Sequence, residues 1–111
     1  MSLTISKAQK LAFKTFEEIN RRIKAARGKG WNPFVIVTCI LEEAGEVASV
    51  VKGLEGYKPP EKVKTKEMLT SELSDLLYSV FLLAGHYRIN LEDAFIQTIQ
   101  DYRRRFLYED K

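Results

Sequence analysis

The sequence is poor in the residues that cross-link or redox-switch small domains. Of 111 residues, one is cysteine, one histidine, one tryptophan and three proline. A lone cysteine, Cys39, excludes an internal disulfide. It lies in an apolar run, where a buried thiol in a reducing compartment is expected, and no local base marks it as a nucleophile. A lone histidine, His86, argues against a di-iron bundle, which draws Glu-x-x-His from two helices. No period-two pattern is long enough to make a strand. No apolar run approaches the ~20 residues of a membrane span, and no secretory leader is visible. A single cytoplasmic domain over residues 1–111 is expected.

What is present is helix. The chain is 45% hydrophobic and 30% charged, a mixture that folds rather than staying disordered. Four helical segments are predicted. Ile5, Ala8, Leu11, Ala12, Phe16, Ile19 and Ile23 recur at three-and-four spacing, giving a helix from about Ile5 to Ala26 capped by Thr4 and stopped by Gly28 and Gly30. Asn32-Pro33 starts the second, which runs to about Val51 and ends near Gly53. The third runs from Thr65 to about Tyr87. The fourth starts at the cap residue Asn90 and runs from Leu91 to about Phe106. Residues 53–65, GLEGYKPPEKVKT, contain two glycines and Pro59-Pro60 and form the one long connection. It is a plain linker or, with Lys58, Lys62 and Lys64, a basic loop over a site.

Charge is segregated along the chain. Residues 1–30 hold eight Lys/Arg against Glu17 and Glu18, a balance of +6. Residues 67–101 hold six acids against Arg88, a balance of −5.

The acids on the two central helices are out of place. In ILEEAGEVASVV, residues 40–51, Ile36, Ile40, Val47, Val50 and Val51 share one side. At about 100° per residue Glu43 falls within that side, ~20° from Ile36, and Glu46 at its edge, ~60° from Glu43. The third helix is apolar nearly all round, apart from a narrow stripe of Glu72, Asp75, Ser79 and His86. Such a helix is buried on two sides, one by its own core and one by a second copy of the chain. Gathering four carboxylates costs repulsion and lost hydration. Protonation, a Lys or Arg such as Lys14, or a divalent cation would relieve it. A ligand set of Glu43, Glu46, Glu72 and Asp75, with no His or Cys, suits Mg²⁺ or Mn²⁺.

LEEAGEV, with Glu43-x-x-Glu46, and SELSDLLY, with Glu72-x-x-Asp75, resemble the MazG-like all-α nucleoside triphosphate pyrophosphohydrolases, and INLEDAF…YRRRF resembles that family's last helix. The resemblance covers about residues 5–106. It implies an all-α, four-helix bundle-like subunit that forms a homodimer or homotetramer. It implies Mg²⁺-dependent cleavage, with Mn²⁺ able to substitute, between the α- and β-phosphates of a nucleoside triphosphate. Glu43, Glu46, Glu72 and Asp75 would be the metal ligands, and Glu43 the catalytic base.

Family members often carry Lys and Asn on the last helix, where this chain has Thr98-Ile99-Gln100-Asp101-Tyr102. Phosphate contacts are therefore expected from Lys52, Lys58, Arg103, Arg104 or Arg105. Trp31 would either stack on a base or plug the corner between the first two helices. Phosphoribosyl-ATP pyrophosphatases, the second substrate reading, usually place His after DLLY, where this chain has Ser79. A non-catalytic module binding nucleic acid or a partner through YRRRF and the basic first helix is the other alternative. No recognisable DNA-reading motif supports it.

Overall fold

The computed structural model describes residues 2–59 and 62–108. Among them the chain is all helix: α1 (Ile5–Arg27), α2 (Pro33–Leu54), α3 (Lys66–His86), α4 (Leu91–Arg103) and a terminal π-helical turn, Arg104–Tyr108. Each start is built by a short polar side chain. Thr4, Asn32, Thr65 and Asn90 have extended backbones, and their side-chain oxygens accept from the N–H groups of Lys7, Val35, Met68 and Asp93. Each satisfies one of the otherwise unpaired donors of the first turn. The predicted fourth helix stops short of Phe106, because its last residues widen into the π turn.

The helix ends differ in an instructive way. α1 ends on Gly28 in the left-handed region, φ 74°, where glycine meets no steric penalty. α3 ends in a Schellman arrangement: the Arg88 N–H donates to the Gly85 carbonyl and the Ile89 N–H to the Ala84 carbonyl. The left-handed residue there is Arg88, φ 57°, a conformation costing a non-glycine residue roughly 1–2 kcal/mol.

α2 and α3 form an antiparallel hairpin with the largest helix–helix contact, and α1 lies across α3. The core is small: Ala12, Phe16, Ile36, Phe81 and Leu82, flanked by Ile5, Phe13, Ile40 and Tyr78. Gly85 lets α1 come close, since a Cβ there would stand 2.5 Å from the Phe13 ring. α4 packs mainly on α1 and buries no residue fully. The radius of gyration is 17.7 Å, against roughly 13 Å for a compact chain of this length. Large apolar side chains are correspondingly open: Phe34 is 83% exposed, Leu41 69% and Leu77 52%. One chain thus builds three sides of a bundle and leaves much of its apolar surface uncovered.

α3 is long and apolar enough to cross a membrane by length and composition alone, although no single apolar run in the sequence is that long. It instead packs on α1 and α2 along one side. Ser79, expected in a polar stripe, is buried, whereas Asp75 and His86 of the same stripe are exposed. Leu73 and Leu77 are the side left open.

Candidate metal centre

The hairpin register places the acids. A Cβ on Gly53, near the end of α2, would run into the Lys64 side chain, just ahead of α3. Ten residues before Gly53 is Glu43; ten residues after Lys64 is Ser74. Antiparallel helices of equal rise therefore set Glu43 level with the gap between Glu72 and Asp75. One carboxylate oxygen from each of Glu43, Glu72 and Asp75 lies within 4.8 Å of the other two. Glu43 and Glu72 are half-buried and Asp75 is exposed, so the cluster opens from the α2–α3 seam towards solvent.

Its electrostatics follow from that crowding. Partial burial pushes the Glu43 carboxyl above its ordinary range. A hydrogen bond with Glu72 and the negative charges of Asp75, Glu72 and Glu46 push the same way. No lysine or arginine forms an ion pair with the three acids among the described residues. Lys14, the cation that could have neutralised them, lines a different cleft. An all-oxygen set with no internal counter-charge fits a hard divalent cation, Mg²⁺ or Mn²⁺.

The remaining candidates lie apart. Glu46 is exposed and outside the trio, although its charge bears on Glu43. Trp31 packs tilted against Phe16 at 6.4 Å between centroids. Its backbone N–H donates to Asn20 Oδ1 at 2.7 Å, which ties the start of α2 to α1, while the residue stays 39% exposed at that corner. It precedes Glu43 by twelve residues, roughly 16 Å along the helix. Lys52 is exposed at the loop end of α2 and Lys58 half-buried in the loop. Arg104 pairs with Asp101 at 3.2 Å, and Arg105 lies over the Phe106 ring. Cys39 is half-buried; burial, then the charges of Glu42 and Glu43, push its thiol up, away from nucleophile chemistry. Ser79 is the position whose burial was missed. Its seven-residue spacing from the half-buried Glu72 puts both on nearly the same side of α3 and was the available signal.

Similarity to known proteins agrees with this geometry. The MazG nucleotide pyrophosphohydrolase domain matches residues 33–106, which hold all four acids. YvdC of Bacillus subtilis strain 168 is 32% identical over 87 residues, covering 70% of this chain and 82% of YvdC. YpjD of the same organism is 26% identical over 88 residues, covering 79% of each chain. The crystal structure of B. subtilis YpjD superposes with a TM-score of 0.62 at 24% identity, over 92% of this chain and 98% of that one, a likeness of fold. With two thirds of its length matched and paired acids meeting across the α2–α3 seam, the chain belongs to the MazG nucleotide pyrophosphohydrolase family.

Proposed function

We propose that this chain is a Mg²⁺-dependent nucleotide pyrophosphohydrolase, with Mn²⁺ able to substitute. It would cleave nucleoside or deoxynucleoside triphosphates between the α- and β-phosphates, working in the cytoplasm as a homodimer or homotetramer. The observation that carries the reading is the meeting of Glu43, Glu72 and Asp75 within 4.8 Å, inside the span that matches the family.

Glu43, Glu72 and Asp75 would hold the metal, and Glu46 would join them from the rim. When bound, the ion supplies the positive charge and phosphate polarisation that a carboxylate cage lacks towards a polyanion. Glu43 is the residue for the proton: its carboxyl, with raised proton affinity, accepts a proton at one Oε from the attacking water. The water oxygen bonds to the α-phosphorus, the bond from that phosphorus to the bridging oxygen breaks, and pyrophosphate leaves with the electron pair. Glu72 and Asp75 keep Glu43 oriented in the seam. No covalent nucleophile is required.

Lys52 and Lys58, at the loop end of the hairpin, are the same-chain candidates for phosphate. Trp31, Arg103 and Arg104 would reach a bound nucleotide from a second copy. Support for that copy is the open apolar surface, including Phe34, Leu41, Leu73 and Leu77, and the expanded radius of gyration.

The test is direct. The full chain is incubated with Mg²⁺ or Mn²⁺ and a panel of NTPs and dNTPs, and monophosphate and pyrophosphate are measured. Pyrophosphate release that Glu43→Gln abolishes is the expected result. No release from any nucleotide overturns the reading, as does release of orthophosphate alone.

A further inference from the structure

A second feature lies outside the carboxylate seam. The N-terminal half of α1 and the turn joining α3 to α4 enclose an open cleft of about 440 Å³. That is within the roughly 300–1,000 Å³ of small-molecule sites. Gln9, Lys10, Phe13 and Lys14 line it from α1, and Arg88 and Ile89 from the turn. On α1 these residues fall at i, i+1, i+4 and i+5, so they form one stripe. The cleft is about 15 Å along α3 from Asp75, ten residues before Gly85.

Three properties give the cleft a chemistry. First, Lys10, Lys14 and Arg88 outnumber its one acid, Glu17, and none of the three cations forms an ion pair among the described residues. Unpaired Arg and Lys converging from two elements are the usual receptor for a phosphate group, with Arg able to grip it through two N–H donors. Second, the wall between the cations is apolar, with the half-buried Phe13 ring held in place by close contact with Gly85. A fixed aromatic ring beside cations suits a flat, stacking group. Third, Arg88 occupies the left-handed C-terminal position of α3, φ 57°, where glycine is ordinarily found. A strained backbone that carries a long cationic side chain into a cleft marks the side chain as the useful part. The frame around it is well held: Gln9 Nε2 donates to the Ile89 carbonyl at 2.7 Å, and its Oε1 accepts from the Leu91 N–H at 3.3 Å.

We propose that this cleft binds a phosphomonoester carrying an aromatic base, a nucleoside monophosphate in the simplest case, at a site distinct from the acidic trio. The phosphate is gripped by Lys10, Lys14 and Arg88, and the base lies on Phe13. Binding ties α1 to the turn from which α4 departs, so it also fixes α4, whose other main packing is on α1. The site needs no metal and does not rest on the hydrolytic reading above. The matched family span begins at residue 33, so the α1 wall of the cleft lies outside it.

The experiment is equilibrium dialysis of the full chain with AMP, inorganic phosphate and adenosine in excess EDTA. AMP is expected to bind at least tenfold more tightly than either fragment. Arg88→Gly, which relieves the backbone strain and therefore folds, and Lys14→Ala are each expected to weaken AMP at least tenfold. Glu72→Gln is expected to leave it unchanged. No uptake at millimolar AMP overturns the proposal. So does uptake indifferent to Arg88→Gly and Lys14→Ala, or uptake lost in Glu72→Gln, which would place AMP at the trio. Equal affinity for inorganic phosphate replaces it with a bare anion site.

Discussion

Replacing Glu72 by Gln should stabilise the protein without metal and remove its response to metal. Two unit charges at the 4.8 Å outer limit of the trio repel by about 0.9 kcal/mol in water and by about 3.5 kcal/mol at an effective dielectric of 20. Glu72→Gln deletes two such repulsions, with Glu43 and with Asp75. Exposure of Asp75 places its share near the water value, and the half-buried seam still lets solvent screen part of the other. A net gain of about 1–2 kcal/mol remains, and the Gln amide can donate to the Glu43 carboxylate. In a domain of this size each kcal/mol moves Tm by roughly 4 °C. At pH 7.5 in EDTA, Glu72→Gln should therefore melt about 4–8 °C above the parent at equal protein concentration. Saturating Mn²⁺ should raise the parent's Tm, because a ligand at one hundred times its Kd adds about 2.7 kcal/mol. It should leave Glu72→Gln nearly unmoved. Glu42→Gln, an exposed acid outside the trio, is the control and should change neither. The reasoning is refuted if Glu72→Gln lowers Tm in EDTA, or if Mn²⁺ stabilises it as much as the parent.

The acid cluster also sets a pH dependence. Glu43 is held above its ordinary value near 4.5, so the folded state binds that proton more tightly than the unfolded chain. Its contribution is full below the unfolded value and lost as pH rises through the folded one. Metal-free Tm should accordingly fall as pH rises above about 4.5 through the raised Glu43 value, and a pH series of melts with Mg²⁺ should flatten the fall. At Gly85, alanine gains up to about 1 kcal/mol of helix propensity but drives Phe13 aside, an overpacking penalty of about 1–3 kcal/mol. Gly85→Ala should lower the denaturation midpoint, and an unchanged or higher midpoint would show that Phe13 yields freely. Leu77→Asp places a charge on the open side of α3, and sedimentation equilibrium should show the parent as a dimer or tetramer and the variant as a monomer. A parent that is monomeric at high micromolar concentration would remove the reason for that surface.

The helices and their starts were legible in the sequence because their causes are local. Three-and-four spacing and the caps Thr4, Asn32, Thr65 and Asn90 act within a turn or two, and all four recur in the structure. The direction of Glu43, Glu72 and Asp75 was legible too, since a helix's period converts residue number into angle. Angle alone does not say how deep a residue sits or what faces it. Only the α2–α3 register, with Gly53 against Lys64, decided that Glu43 meets Glu72 and Asp75 while Glu46 stays at the rim. Only the packing of α1 and α2 on α3 decided that Ser79 is buried and Leu77 open. The left-handed turn at Arg88, and with it the basic cleft, was invisible because nothing nearby forbids glycine's place being taken by arginine. Local interactions choose the helices. Contacts between residues distant in sequence choose which of their faces meet, and the chemistry sits where those faces meet.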